Sequence, residues 1–282
     1  MTKIMAVILN YNTMEDSEKC ALLLKKQKKA DLIITIVDNN STDGKQEILK
    51  TFCEDNHIVF VENKKNQGFS AGNNIGLKKA AEYGCEYALI INPDVEIRDE
   101  YYIYHAISKM KSDKNIAVLG TDVLNIYHQH QNPMRETRFL EEVFWPYVLV
   151  RNKLSKKLPF TKNYKKSGYC EKVSGCCFFI EMKFIQEINY LDENVFMYSE
   201  EPILAAFVKM QKKKEFYLHS ETAFHMHRKA EKGNVSKRME MLYNSRRYYL
   251  QKYSGYGKMR LAILNVTLSW QERFLTKRNK SL

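Results

Sequence analysis

The first 120 residues of the chain alternate between two hydrophobic periods. Short apolar runs rich in β-branched residues predict strands that are buried on both faces. These runs are Ile4–Leu9, Ile33–Val37, Ile58–Glu62, Tyr87–Ile91 and Ile116–Leu119. Stretches with helical spacing lie between them: Ser17–Lys26, Lys45–Cys53, Ala71–Tyr83 and Glu100–Lys111. This alternation predicts βαβ units, and therefore an α/β fold with a mostly parallel central sheet flanked by helices.

The alternation ends after about Asp122. Residues 122–172 show little regular pattern, and they contain several aromatic side chains and a run of lysines. Long irregular segments in compact domains are usually functional or mobile. Regular patterns then resume, predicting strands at Val173–Ile180 and Glu221–Phe224 and helices at Glu200–Met210, 236–252 and 258–278. We divide the chain into one large domain, residues 1–235, and a helical C-terminal extension, residues 236–282.

Composition indicates a globular, intracellular protein. Of its 282 residues, 44% are hydrophobic and 12% aromatic, which argues against disorder. The N-terminus lacks a signal-peptide layout, and no run approaches the roughly 20 apolar residues that span a bilayer. The six cysteines show no C-x-x-C pair, as expected of reduced thiols. The prediction is a cytoplasmic protein.

Nearly all of the net charge lies in the C-terminal part of the chain. The whole sequence carries +12, and the residues from Met226 onward contain 14 Lys and Arg against 3 acidic residues. A basic extension suits nucleic acid, anionic lipid or a charged substrate, and it is equally compatible with a solvated helical surface. We predict no nucleic-acid partner, because neither a reading module nor an aromatic stacking platform is evident.

Polar, turn-forming segments follow three of the predicted strands. They are Asn10-Tyr11-Asn12, the segment from Asp38 to Gly44, and Asn92-Pro93-Asp94. Turn chemistry explains each segment by itself. Because parallel strands end at the same edge of a sheet, three such segments together favour a ligand site there.

Asp94 and Asp38 are the candidate ligand-binding acids at this edge. A carboxylate at a strand exit can hold a divalent cation together with ligand phosphates, although Asp94 also fits a simple Asx turn. Asp38 could read a base edge or ribose hydroxyls. Since no glycine-rich phosphate loop is present, a metal ion or side chains would have to meet the phosphates.

Six segments resemble, in order and spacing, the family 2 glycosyltransferases, and most closely the rhamnosyltransferase-like branch of bacterial polysaccharide biosynthesis. They are VILNYN (7–12), VDNNSTDG (37–44), NKKNQGFSAGNNIG (63–76), LIINPDVEI (89–97), VSGCCFFI (173–180) and LDENVFMYSEEPIL (191–204). The resemblance covers about residue 4 to about residue 250. It implies a GT-A, Rossmann-like fold, a UDP- or dTDP-linked sugar donor and an inverting mechanism. Residues 1–120 would then form the nucleotide-sugar half and residues 121–235 the acceptor half.

The same resemblance assigns residues to the donor site. The expected nucleotide-binding residues are Asn10, Tyr11, Asp38, Asn39, Asn66, Gly68, Asn73, Asn92 and Asp94. Asn92-Pro93-Asp94 occupies the D-x-D position of the family, whose acids hold Mg²⁺ or Mn²⁺ on the diphosphate. Because the first acid is replaced by Asn92, Asp94 carries most of the metal assignment.

Inversion requires a base that takes the proton of the acceptor hydroxyl. Glu200-Glu201 stands where the family has a Glu-Asp pair, so Glu201 is the predicted base and Glu200 the alternative; both acids also suit a helix N-terminus. His225 and His227 follow a predicted strand. Because an i, i+2 pair cannot face one way along an extended segment, we assign His225 alone to the metal.

The function implied is transfer of a hexose or deoxyhexose, such as rhamnose, galactose or glucose, to a glycan in capsule or cell-surface polysaccharide synthesis. The acceptor would be carried on a polyprenyl diphosphate lipid at the inner face of the cell membrane. The basic extension, with Trp270 and Phe274, would bind anionic lipid there, or pack on its own domain or a second subunit. The alternative function is a nucleotide-sugar-binding protein that has lost catalysis, which Asn92 and Glu201 favour.

Overall fold

A computed structural model describes residues 2–155, 165–227 and 235–280, and these residues build a mixed sheet covered by helices. The strands are β1 (Lys3–Asn10), β2 (Asp31–Asp38), β3 (Val59–Glu62), β4 (Tyr87–Ile91), β5 (Val95–Ile97), β6 (Ile116–Asn125), β7 (Gly168–Cys170), β8 (Cys177–Glu181) and β9 (Lys214–His225). The helices are α1 (Met14–Leu24), α2 (Gln46–Asp55), α3 (Phe69–Glu82), α4 (Tyr102–Ser112), α5 (Phe139–Val143), α6 (Trp145–Ser155), α7 (Met182–Glu187), α8 (Glu200–Met210), α9 (Val235–Lys252) and α10 (Lys258–Lys280).

The strand order of the sheet is β3-β2-β1-β4-β8-β6-β9-β5, with β7 pairing to β9. The first four strands in this order are mutually parallel. β8 runs antiparallel to both neighbours, so β6 and β9 regain the common direction. β5 and β7 oppose β9. Six of the nine described strands therefore point one way, which confirms the predicted α/β fold with a mostly parallel sheet.

The sheet is buried on both faces because successive strand residues enter different cores. In β1, Ile4 and Ile8 pack in one core with α1, α2 and α4. Met5 and Val7 enter the other core, with α3, α7 and α8. Side chains of a strand alternate between faces, so a run without polar residues needs helices on both sides.

The structure corrects three boundaries in the second half of the chain. β6 continues past Asp122 to Asn125, because it pairs with β9 along almost its whole length. The segment 122–172 contains α5, α6 and β7 where little pattern was expected. The strand predicted over Val173–Ile180 begins only at Cys177. The lysines of the basic run at 156, 157 and 162 lie outside the described residues.

The two C-terminal helices form a hairpin that packs on the domain. Leu250 of α9 and Leu264 and Leu268 of α10 share a small apolar core, which Phe139 of α5 joins. This confirms two helices close to the predicted spans, and it shows the extension packed on its own chain. The division into residues 1–235 and 236–282 stays a prediction, since residues 228–234 and 281–282 are not described. Among the described helices, none is long and apolar enough to cross a membrane.

Candidate active site

A cavity of about 750 Å³ opens at the carboxyl edge of the sheet. It lies between the exit of β4, the loop before β8, the start of α8 and one side of α9. Its polar lining residues are Asn92, Glu136, Thr137, Glu142, Lys172, Ser174, Ser199, Glu200, Glu201, His225, His227, Arg246 and Ser254. Tyr198, Tyr249 and Tyr256 are among its aromatic lining. The predicted acid pair and the predicted histidine therefore face one cavity together with Asn92.

The segment that carries the acid pair docks on the start of α3. The backbone N–H of Phe69 donates to the carbonyl oxygen of Phe196 at 2.9 Å. The preceding Gly68 has φ +98° and ψ −172°. A Cβ atom built on Gly68 would lie 2.0 Å from the same Phe196 oxygen. Only glycine fits both this backbone conformation and this close approach.

Further along α3, Asn74 fixes the beginning of the same segment. Its buried side-chain amide donates to the carbonyl of Leu191 at 2.8 Å, and its oxygen accepts the N–H of Leu191 at 3.0 Å. On the other side, Ser245 of α9 donates to the carbonyl of Met197 at 2.7 Å. The chain before α8 is thus held from two directions by hydrogen bonds that replace water.

The two residues directly before the acid pair have left-handed backbone conformations. Tyr198 has φ 73° and Ser199 has φ 65°. Non-glycine residues adopt such angles at a cost of about 1–3 kcal/mol each, and they cluster at functional sites. Here they turn the chain so that α8 begins at Glu200 with both carboxylates at the cavity.

Glu200 and Glu201 are electrostatically unequal. Burial and the charge of Glu201 raise the pKa of Glu200 well above its usual range. Glu201 accepts the backbone N–H of Gly175 at 3.3 Å, which orients its carboxylate against the floor of the cavity. Lys172 lines the same cavity; burial lowers its pKa, and the charges of Glu201 and Glu136 oppose that shift.

Asp94 contacts two histidines that line the cavity. Its carboxylate lies 3.3 Å from Nε2 of His225 and 3.0 Å from Nδ1 of His227. Burial opposes ionisation of Asp94, but hydrogen bonds and charge from the two histidines lower its pKa. Although burial disfavours the imidazolium, the hydrogen bond with Asp94 raises the pKa of His225 to about 10. Nδ1 of His225 also lies 2.9 Å from Oε1 of Gln131, a contact that orients the ring.

These three side chains fit a divalent cation. One ligand atom from each lies within 4.8 Å of the others. A carboxylate oxygen with two imidazole nitrogens suits Mn²⁺ better than Mg²⁺, which prefers an all-oxygen shell. The expectation that only one of the two histidines faces Asp94 is not met, because both rings contact its carboxylate and β9 ends at His225. The assignment of His225 to a metal stays a prediction, and the geometry adds His227 as a candidate ligand.

Asn10 and Asp38 lie side by side at the sheet edge, as predicted, but their side chains are buried. Nδ2 of Asn10 donates to Asp38 at 2.7 Å, and the two residues are partners in the β1–β2 register. Asp38 also accepts hydrogen bonds from Ser41 and Gln46. In this structure the pair therefore positions the two loops that follow β1 and β2. Direct contact of these side chains with a nucleotide stays a prediction.

The other predicted donor residues form a second network beside the first. Nδ2 of Asn39 donates to Asn66 at 3.0 Å, and Asn66 accepts the N–H of Gly68 at 3.0 Å. Asn73 is buried inside α3, where its Nδ2 donates to the carbonyl of Phe69. Tyr11, by contrast, is exposed and available at the edge. These contacts connect the edge loops to the start of α3.

Sequence reasoning missed the contribution of α9 to the cavity. Leu242, Arg246, Tyr249 and Leu250 line it, and Arg246 forms an ion pair with the buried Glu142 of α5. The net basic charge of the extension gave no sign of this, since the lining depends on how the hairpin packs. Lys172 was likewise hidden among many surface lysines.

Fold and site together define a class of protein. A parallel β3-β2-β1-β4 half, a cluster of Asp94, His225 and His227 that could hold a cation at the exit of β4, and an acid pair in the adjoining cavity are the arrangement expected of a GT-A glycosyltransferase. The family model of glycosyl transferase family 2 matches residues 5–188. The chain belongs to this family.

Two relatives show how far the sequence similarity extends. The low-salt glycan biosynthesis hexosyltransferase Agl10 of Haloferax volcanii is 26% identical over 196 residues, which are 69% of this chain and 58% of that protein. The poly-beta-1,6-N-acetyl-D-glucosamine synthase of Staphylococcus aureus is 30% identical over 121 residues, which are 43% of this chain and 28% of the synthase. The chain thus spans less than two thirds of the length of either relative.

Solved structures share the fold at low sequence identity. S. aureus TarS 1–349 in complex with UDP superposes with a TM-score of 0.57 at 13% identity, covering 95% of this chain and 71% of that one. The mannosyltransferase PcManGT from Pyrobaculum calidifontis, in complex with GDP-Man and Mn²⁺, superposes with a TM-score of 0.60 at 12% identity. The match covers 99% of this chain and 79% of that one. These likenesses confirm the GT-A fold.

Proposed function

We propose that this protein is an inverting glycosyltransferase that moves a hexose or deoxyhexose from a nucleoside diphosphate sugar to a hydroxyl group of a glycan. The observation that carries the proposal is the arrangement of the cavity. Glu200 and Glu201 enter it from α8, while Asp94, His225 and His227 meet at the exit of β4. Membership of glycosyl transferase family 2 supports the same reaction.

Asp94, His225 and His227 form the donor end of the site. A divalent ion held there would neutralise charge that develops on the departing diphosphate. The donor set makes Mn²⁺ the better candidate, with Mg²⁺ second. Tyr11 offers an exposed ring for the nucleotide, while Asn10, Asp38, Asn39, Asn66 and Asn73 shape the loops around it. A UDP- or dTDP-linked donor is the predicted substrate.

Glu201 is the proposed base. Burial and the charge of Glu201 raise the pKa of Glu200 to about 8, so Glu200 retains a proton near neutral pH. The Gly175 N–H holds the Glu201 carboxylate in one orientation. A fixed carboxylate can accept the proton of the acceptor hydroxyl as its oxygen attacks the anomeric carbon. Because Glu200 is protonated, the site does not carry two adjacent negative charges.

The acceptor proposed is a growing glycan on a polyprenyl diphosphate lipid, in capsule or cell-surface polysaccharide synthesis. Such an acceptor would bring the protein to the cytoplasmic face of the membrane. The names of the relatives support a glycan product, since one acts in glycan biosynthesis and the other makes a polysaccharide of N-acetylglucosamine. A sugar-binding protein without turnover is the second candidate, favoured by Asn92 at the D-x-D position.

Transfer assays with UDP-, dTDP- and GDP-sugars, each with Mn²⁺ and a panel of glycan acceptors, test the proposal. We expect turnover with one donor class, and a loss of about 10²–10⁴-fold in kcat for Glu201→Gln. Glu200→Gln, which keeps the neutral state of its side chain, should lose much less. A wild-type protein that binds a donor with saturation but never turns it over would favour the second candidate. Equal losses in the two variants would contradict the assignment of Glu201.

A further inference from the structure

α10 is apolar on two nearly opposite sides. One row, Leu261, Leu264 and Leu268, packs toward α9. The other row consists of Met259, Ile263, Val266, Trp270 and Phe274, and all five side chains are exposed. Its spacing of three and four residues places it along a single face of the helix. Trp270 and Val266 are 70% and 64% exposed, so this face is not part of the protein core.

A second exposed row lies on the neighbouring helix. Phe144, Tyr147 and Val150 recur every three residues at α6, and Tyr147 is 67% exposed. The rings of Trp145 and Phe274 lie 5.5 Å apart, so the start of α6 contacts α10, but Trp145 lies on a different side of its helix from Tyr147 and Val150. The two exposed rows are therefore separate, and we call the row on α10, Met259, Ile263, Val266, Trp270 and Phe274, the α10 surface. An apolar surface of this kind on a folded chain marks an interaction site.

Exposed cations accompany the α10 surface on its own helix. Lys258, Arg260 and Arg273 of α10 are exposed. The single acid of that helix, Glu272, forms an ion pair with Arg247 of α9 at 2.7 Å. Among the described side chains of this helix, the charge is therefore mainly positive.

We propose that the α10 surface docks on a bilayer that contains anionic lipids. Exposed aromatic and aliphatic side chains would enter the headgroup region, and the flanking cations would attract the negative surface. A second copy of the chain fits less well, because a twofold contact would place the same basic residues against each other. Since α9 lines the cavity and packs on α10, docking would hold the cavity beside the membrane; its link to a lipid-carried acceptor rests on the proposed function.

Sedimentation of the full chain with lipid vesicles tests the docking without any sugar donor or acceptor. We expect binding to phosphatidylcholine vesicles that contain phosphatidylglycerol, weakened by salt, and little binding to phosphatidylcholine alone. The double variant Val266→Ser/Trp270→Gln removes apolar area without changing charge, and it should bind about tenfold more weakly. The matched control Ile48→Gln/Met210→Gln also removes two exposed apolar side chains, from other parts of the surface, and should bind like the wild type.

Equal binding of the double variant and its control would overturn the proposal, as would absence of binding to the anionic vesicles. Light scattering without lipid tests whether the surface binds a second copy of the chain instead. A dimer of the wild type that dissociates in Val266→Ser/Trp270→Gln would assign the surface to a second copy instead. Transfer to a short soluble glycan should be unchanged in the double variant, so a failure of the lipid proposal is separable from a failure of the proposed transferase activity.

Discussion

The contact between Gly68 and Phe196 allows a sharp test of how the acid pair is positioned. In Gly68→Ala the new methyl group would overlap the Phe196 carbonyl oxygen at 2.0 Å, where real contacts are not found below 3.0 Å. The obstacle is backbone and cannot rotate away. The contact would be about 1 Å shorter than the 3.0 Å limit, so the chain around Phe196 must move by roughly 1 Å or more. Phe196 lies four residues before Glu200, so the shift reaches the active site.

The expected cost has two parts. The backbone conformation of Gly68, which suits glycine alone, adds about 1–3 kcal/mol for alanine. Loss of the hydrogen bond from Phe69 to Phe196 adds about 1 kcal/mol. We expect Gly68→Ala to lower the free energy of unfolding by about 2–4 kcal/mol. Because a 1 Å misplacement of reacting groups can cost about 10²-fold in rate, kcat should fall by a similar factor.

Gly84→Ala is the matched control. Gly84 also has a positive φ, +68°, but a Cβ atom there would meet nothing within 4 Å. Gly84→Ala should lower the free energy of unfolding by about 1–2 kcal/mol through backbone strain, and it should keep full activity. Urea unfolding and transfer rates of both variants, measured with the same donor, give the comparison. If Gly68→Ala matches Gly84→Ala in stability and in kcat, the docking of Phe196 does not position the acid pair.

Two further predictions concern the proposed metal ligands and a buried acid. His227→Ala should weaken Mn²⁺ binding, measured by titration calorimetry, by about tenfold or more. His225→Ala and Asp94→Asn should have the same effect, whereas the control His105→Ala should not. If His227→Ala keeps full affinity for Mn²⁺, that residue does not belong to the site. Burial raises the pKa of Glu215 to about 8, and its Oε1 has no hydrogen-bond partner among the described residues. An acid with a raised pKa contributes most stability below its unfolded pKa of 4.5, and this contribution is lost as the pH rises through about 8. Glu215→Gln should therefore be about as stable as the wild type at pH 5. Near pH 8 its free energy of unfolding should exceed that of the wild type by roughly 2–4 kcal/mol. Urea unfolding at both pH values checks this, and a gain of equal size at pH 5 and pH 8 would show that ionisation of Glu215 is not the cause.

The parallel half of the sheet was predictable because its strands are buried on both faces. Runs such as Tyr87–Ile91 lack polar residues, and a strand is the shortest element that can bury such a run between two layers of helices. The place of Asp94 at a strand exit followed from the same runs. The resemblance to the family then brought Glu200 and Glu201 to the same site, and the cavity contains both.

Other parts depend on contacts that are distant in sequence. β6 reaches Asn125 because of its pairing with β9, about a hundred residues later. α5 exposes Leu140 and α6 exposes Tyr147, so neither sequence has the purely polar outer side that marks a surface helix. His227 joins Asp94 because the strand ends just before it, and strand ends are the least predictable feature of a sequence.

Under the proposed function, the way α9 faces the cavity divides substrate recognition between two portions of the chain. The proposed donor end is built from strand exits in the sheet and the residues next to them, whereas Arg246 and Tyr249 belong to a hairpin that follows the sheet in sequence. Under the proposed function, substitutions on the inner face of α9 can change the acceptor without disturbing the donor. Exchange of this helical hairpin between related transferases is therefore a route to new linkages from an unchanged sugar donor.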